Sequence, residues 1–262
     1  MTVYFSAIKA TVLQQFTYIR DVLLSKLGLI MFIFIFYSLW KTTYNLGSNF
    51  EISGYSLSSM VWYISMTEAI LMARTRVWVN ISRDIKSGEI AYKLSKPYCY
   101  PVYIYFGSLG YSVVHFFINL IISSCLAVLL SGEFIVNTSN WLLFMGMSMM
   151  GISIDILIGI AIGLCAFFFE EVGPMYWVYD KLLFTIGGSF IPLEYFPLTL
   201  RRIAEALPLK TILYLPSKAL VASNLQESLH GLFLQTKVFV CLIALIAIIW
   251  PICVRKVVIN GG

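Results

Sequence analysis

The stretch PVYIYFGSLGYSVVHFFINLIISSCLAVLL, residues 101–130, decides the fold. It holds no Asp, Glu, Lys or Arg, and a single histidine, His115. A helix crosses the bilayer hydrocarbon with roughly 20 apolar residues, so this run is long enough to cross with tilt. Outward from it, further apolar runs occupy 27–40 (continuing to 46), 57–79, 141–169, 175–191 and 238–254. Six crossings are therefore expected, in an all-α integral membrane protein.

Composition leads to the same place. Of 262 residues, 60% are apolar and only 12% charged, with a mean hydropathy of +0.86. Ordinary soluble domains carry about a quarter charged residues, and a chain this apolar leaves too little polar surface to cover a soluble core. Aromatic residues make up 16%, which suits the two headgroup levels where Trp and Tyr settle. The net charge of +5 is spread thinly, and no run of five Lys or Arg occurs, so a nucleic-acid partner is not expected. The five cysteines are scattered without a CxxC pair, which argues against a disulfide framework or a metal site. The N-terminus is not expected to be a cleaved signal, because Lys9, Arg20 and Asp21 interrupt it.

Residues 3–24 precede the first long run. Phe5, Ile8, Val12, Phe16, Ile19 and Leu23 recur at helical spacing, with Lys9, Gln14, Thr17 and Arg20 on other faces. This pattern fits a helix lying in the membrane interface; the alternative is the start of the first span. A seventh apolar stretch, 207–221, is broken by Pro208, Lys210, Pro216 and Lys218. Such a segment reads as a re-entrant or interfacial hairpin before the last span.

Placing the N-terminus in the cytoplasm puts 12 of the 18 Lys and Arg residues on inner segments, with the densest group at 74–96. The bias places both ends inside.

Enzymatic chemistry is poorly supported. The two histidines, His115 and His230, fall at different expected depths, and no HExxH, GxSxG or phosphate-cradling GxxxxGK[ST] loop occurs. The chain should not hydrolyse ATP by itself, and no catalytic, cofactor-binding or metal-ligating residue is assigned. Two carboxylates, Glu68 and Asp155, interrupt otherwise apolar spans, where each costs roughly 2.5–3.5 kcal/mol on insertion scales. Gly151, Asp155, Gly159 and Gly163 recur every four residues, a small-residue face that admits another helix closely. Asp155 either pairs locally within that packing or lines a substrate path.

The most informative polar segment is RDIKSGEIAYKLSKP at 83–97. Charges of both signs surround an apolar edge of Ile85, Ile90 and Leu94. Either it is a solvated inner loop, or it is a short docking helix for a cytosolic partner.

The segment resembles the stretch before the third span in ABC-2-type transporter permeases, particularly the group that includes daunorubicin- and viologen-exporter-like permeases. That pattern ends in a basic residue and proline, here Lys96 and Pro97. A second match is GGSFIPLEYFP at 187–197, followed by Leu207-Pro208 and Tyr214-Leu215-Pro216. The closing Asn260-Gly261-Gly262 also resembles the family's usual end. The likeness covers essentially the whole chain as a single transmembrane domain, 1–262. It departs only in the shortness of the first apolar run.

The resemblance implies the permease half of an exporter in a prokaryotic plasma membrane. Two permeases, identical or homologous, pair in the lipid, and two separate ABC ATPase subunits carry ATP and Mg. The interfacial N-terminal helix (3–24) and the cytoplasmic 83–97 loop become the docking elements, the loop coupling through Ile85, Ile90 and Leu94 with Arg83 and Lys86 orienting the contact. The 192–230 segment, punctuated by Pro192, Pro197, Pro208 and Pro216, becomes an extracytoplasmic cap. Glu68 and Asp155 are then the pathway candidates, and Gly151, Gly159 and Gly163 the packing glycines. The rival reading is a non-transporting membrane scaffold or sensor subunit. A membrane-embedded lipid enzyme is disfavoured, since no nucleophile and base cluster.

Overall fold

The computed structural model describes residues 2–47, 51–52, 54–134, 137–221 and 224–260. Among these described residues are twelve α-helices and a hairpin of two two-residue strands. Helices α1 (Thr2–Thr17), α2 (Ile19–Leu24) and α3 (Leu27–Gly47) follow one another. The strands β1 (Glu51–Ile52) and β2 (Tyr55–Ser56) pair antiparallel and lead into α4 (Leu57–Leu71). Next come α5 (Val77–Lys86), α6 (Glu89–Leu94), α7 (Tyr100–Ser131) and α8 (Thr138–Leu164). The chain closes with α9 (Gly173–Ile186), α10 (Leu198–Ala206), α11 (Tyr214–Val221) and α12 (Leu225–Asn260). Gly261 and Gly262, part of the family-like ending, lie outside the described residues, as do Ala222 and Ser223 of the 192–230 segment.

Four helical stretches among the described residues are long and apolar enough to cross a membrane: Ile19–Asn45, Tyr100–Ser131, Thr138–Phe167 and Leu225–Lys256. The expected second and fifth spans fall on α4 and α9, of 15 and 14 residues. The continuous helix expected over 57–79 is in fact two, α4 and α5. The chain leaves the helix after Leu71, and Arg74 in the break turns inward. The expected span over 175–191 stops at Ile186. Gly188 follows with φ +80, a left-handed conformation that favours glycine. The last helix extends well beyond the expected 238–254 and continues through Pro251.

Burial separates the helices by position. Along α4 every residue from Met60 to Ile70 is buried, so it forms the centre of the bundle. Along α2 and α3 the buried residues Val22, Lys26, Leu29, Ile33, Trp40 and Tyr44 make one stripe. Leu27, Met31, Phe34, Ile35 and Leu39 on the other faces stay exposed. An exposed face this apolar belongs in lipid. Since lipid tails are as apolar as these side chains, close packing and hydrogen bonds must hold the helices together.

That rule chose the contact face of α1. It packs lengthwise on the first half of α7, through Tyr4, Ala7, Ile8 and Thr11. A side chain on Gly110 would meet the Ile8 backbone at 3.0 Å. The Tyr4 hydroxyl accepts from the Cys99 N–H at 3.0 Å. Phe5, Phe16 and Leu23, half of the apolar stripe read from the sequence, point outward instead. Ile8 against Gly110 and Thr11 against Gly107 mark the inward face, and Phe5 and Phe16 are left for the surroundings.

The two ends of the bundle differ. One gathers α5, α6, the start of α7, the end of α8 and the end of α12. There Trp250 stacks on Tyr100 at 5.8 Å and the Lys256 ammonium lies over the Phe168 ring. The other gathers the hairpin, the start of α4, α10 and α11. There the Tyr44 hydroxyl donates to the Tyr55 carbonyl at 2.7 Å, and Trp62 Nε1 donates to the Glu133 carbonyl at 3.1 Å.

Candidate functional site

The break between α4 and α5 holds a buried ion network. Arg74 Nε donates to Asp155 Oδ1 of α8 at 2.7 Å, and its Nη1 donates to Asp180 Oδ1 of α9 at 2.9 Å. Its Nη2 donates to the Tyr176 hydroxyl at 3.2 Å, and the Tyr179 hydroxyl donates to Asp155 Oδ1 at 2.6 Å. One guanidinium thus ties together three elements that are far apart in sequence. Its planar fork suits the task, since it presents several donors in fixed directions. Asp155 is therefore locally paired. Asp180 and Arg74 were not read as its partners from sequence, although Asp180 meets the rule that singled out Glu68 and Asp155: it is a carboxylate inside an apolar run.

The glycine face of α8 sits beside this network. A side chain on Gly159 would meet Val77 Cγ1 at 2.5 Å, and one on Gly163 would meet Ile81 Cδ1 at 2.9 Å and Trp78 Cα at 3.2 Å. Gly151 approaches the Ile212 carbonyl oxygen, 2.6 Å from where its Cβ would lie. The face between Gly159 and Gly163 therefore receives α5, and Gly151 receives the turn before α11.

Helices α5 and α6 meet at Gly88, whose φ is +77. Arg83 and Lys86 are exposed, and Lys86 Nζ pairs with Glu171 Oε1 at 2.7 Å. The apolar edge expected to face outward does not. Ile90 is buried in the core, and Ile85 and Leu94 pack half-buried against that core. Amphipathic helices on this body turn their apolar side inward and leave charge outside. Asp84, itself buried, accepts from Lys93 Nζ at 2.5 Å and from the Tyr100 hydroxyl at 2.6 Å, fastening the pair to α7. Burial would lower the Lys93 ammonium, but the bonds to Asp84 and Glu89 outweigh it and hold its pKa above the ordinary value.

Glu68 lies elsewhere, fully buried in the last turn of α4. Ser189 Oγ donates to its Oε1 at 3.2 Å, while its Oε2 has no partner among the described residues. Thr67 Oγ1 and the Tyr63 hydroxyl donate to the neighbouring Ser189 and Gly188 carbonyls. Glu68 and Asp155 thus belong to separate networks, and the structure does not bring them together.

The far end carries a third charged network. Glu194 Oε1 accepts from Lys218 Nζ and the Tyr214 hydroxyl, each at 2.6 Å, and Lys218 also pairs with Glu227. Pro192 and Pro197 immediately precede the short 3-10 turn Leu193–Tyr195 and α10. Pro208 opens a second turn, Pro208–Thr211, and Pro216 sits in the first turn of α11. At these positions proline costs no internal hydrogen bond. Gln235 of α12 donates to the Met147 and Thr211 carbonyls, locking this segment to the bundle.

His115 makes a further junction that sequence did not reveal. Lys26 Nζ donates to its Nδ1 at 2.8 Å. That leaves Nε2–H to donate to Gln15 Oε1 at 3.1 Å.

Four long apolar helices, lipid-suited outer faces and a buried Arg74–Asp155 pair define a multi-pass helical membrane protein. The chain belongs to a known family of such proteins. The model of the ABC-2 family transporter proteins matches residues 23–261. It is accordingly a membrane component of a transporter, an ABC-2 permease, and the family implies partnership with an ABC ATPase. No curated protein matches the chain.

Proposed function

We propose that this permease forms half of the pathway of an ATP-driven exporter in a prokaryotic plasma membrane. It pairs with a second permease, identical or homologous, and couples to two ATPase subunits that bind ATP and Mg. Six crossings serve this role, with α4 and α9 adding to the four long helices. Fifteen helical residues span about 22 Å against a core of about 30 Å. The non-helical residues 72–76 and 187–192 complete those crossings, a departure from helix that protein burial permits. Both ends are then cytoplasmic, and the segment from Pro192 onward forms the extracytoplasmic hairpin. Its likeness to the daunorubicin- and viologen-exporter-like group supports an exported cargo.

The observation that carries coupling is mechanical. Helix α5 presents Arg83 and Lys86 outside, while its inner face is seated on Gly159 and Gly163 of α8. Arg74, four residues before Trp78, joins the same α4–α5 connection to α8 and α9. A push on α5 therefore passes to two helices through rigid contacts. Docking rests on the exposed charges, since Ile85, Ile90 and Leu94 serve the core.

The double variant R83E/K86E should lower the coupled ATPase activity of the assembled transporter in proteoliposomes severalfold while leaving membrane insertion unchanged. Unchanged coupled activity sinks the docking assignment. If no ATPase co-purifies from native membrane, the scaffold or sensor reading gains.

A further inference from the structure

Helix α9 has two unlike faces. Tyr176, Tyr179 and Leu183 are buried, while Trp177, Val178, Lys181 and Leu182 are exposed on the other side. Lys181 stands directly after Asp180, which Arg74 ties to Asp155. Asp155 lies near the middle of the apolar stretch Thr138–Phe167, so Lys181 is level with the middle of a crossing. Its ammonium sits over the Phe184 ring, 5.9 Å from the centroid, and does not reach back to the helix start at Gly173. Exposed cations on α12 are placed otherwise. Lys237 and Arg255 stand about 27 Å apart along that helix, at the two borders of its apolar run.

An ammonium facing hydrocarbon at this depth is costly, so an anion has to meet it. Among the described residues none does, and the Lys181 ammonium makes no ion pair or hydrogen bond there. The carboxylates set in apolar helices, Glu68, Asp155 and Asp180, are buried or already bonded to Arg74. A second identical copy therefore offers no free carboxylate at this level, and its own Lys181 face would add like charge. Phospholipid phosphates stay at the borders of the hydrocarbon. What carries an anion to mid-depth is the molecule being moved across. Aromatic rings stand ready for the rest of it: Trp177 is one turn before Lys181, and Phe184 meets Phe190 at 4.0 Å and Phe32 of α3 at 6.4 Å.

We propose that Lys181 binds the anionic group of the exported cargo, whose apolar or aromatic body lies against Trp177 and Phe184. The cargo class is then an anionic amphiphile. The inference rests on the reading of this chain as an exporter permease that crosses at α9, and it adds the substrate class and the residue that selects it.

Photolabelling of the full chain in phosphatidylcholine nanodiscs tests it. The probes are 4-benzoylbenzoate, an anionic benzophenone that crosslinks to its neighbours under ultraviolet light, and its neutral counterpart 4-benzoylbenzamide. Mass spectrometry of the peptides should find roughly tenfold more benzoate than benzamide on residues 173–186 of the wild type. Lys181→Met, an exposed change that should keep the fold, should bring the benzoate down to the benzamide level and leave benzamide labelling as it was. Lys181→Arg keeps the charge and should retain the preference. Equal labelling by the two probes in the wild type, labelling of α9 by neither, or undiminished benzoate on Lys181→Met overturns the proposal. So does a change in the monomer–dimer ratio of Lys181→Met with no probe preference in the wild type, which would assign this face to a second permease. Labelling needs no ATPase. Failure of an ATPase to co-purify, which counts against the exporter reading, therefore leaves this readout intact.

Discussion

Asp155 and Glu68 make an instructive pair. Both are carboxylates embedded in apolar helices, and both are almost fully shielded from solvent. Asp155 meets a guanidinium and a tyrosine hydroxyl, and through Arg74 it reaches Asp180. Glu68 meets one serine hydroxyl, and its second oxygen has no partner among the described residues. The first arrangement is a structural clamp joining α4–α5, α8 and α9. The second leaves a polar atom at the centre of the bundle with no structural task. A carboxylate buried in an apolar helix is therefore not one kind of feature, and its partners decide what it does.

Four variants would break or sharpen that contrast. The largest effect is expected at the clamp. Arg74→Ala leaves Asp155 buried without its cation, which should cost about 3–5 kcal/mol and lower the thermal midpoint of the purified protein sharply. Arg74→Lys keeps charge but loses the fork, so it should fall between. If Arg74→Ala were as stable as wild type, the clamp would be incidental.

The network at the opposite end should respond next, and to pH. Burial alone would raise the Glu194 pKa, but hydrogen bonds from Lys218 and Tyr214 hold it below its ordinary value. A carboxylate depressed on folding contributes stability that is present above its unfolded pKa, and this is lost as pH falls through the lower folded value. Glu194→Gln should flatten that acid limb in a pH series of thermal midpoints, by an amount on the order of 1 kcal/mol. An unchanged acid limb would remove Glu194 from the account.

The smallest change is expected for Glu68→Gln. The amide keeps the shape and an oxygen to accept from Ser189, so stability should shift by less than about 1 kcal/mol. Transport, assayed in the assembled exporter, is then the discriminating readout. Lost transport with retained stability would give Glu68 the pathway role proposed for it. A destabilisation matching Arg74→Ala would instead put the two carboxylates in one class.

How far the sequence could be read differs by feature. The long apolar runs, the glycine spacing on α8 and the proline-broken segment after Pro192 were all legible, because each is local. The inward turn of Ile90 was not. Its neighbours carry charges of both signs, and only packing against the core shows which side of α6 is covered. The contact face of α1 was not legible for a related reason. In lipid, large apolar residues need no protein cover, so apolar periodicity alone does not mark the packed side, which only the approach of Ile8 to Gly110 and of Thr11 to Gly107 shows. Asp180 was within reach, since it too is a carboxylate inside an apolar run.

By itself, then, the sequence determined that this chain spans a membrane repeatedly, and that it carries the spacing and motifs of an ABC-2 permease. Hydropathy and backbone satisfaction act on every stretch independently of its neighbours. Only the tertiary structure decided that α4 lies at the centre, that the chain breaks where Arg74 turns inward, and that Asp155 and Glu68 part company. Those outcomes depend on which distant side chain supplies a partner, and an ion pair between residues 74 and 155 leaves no trace in the periodicity of either helix.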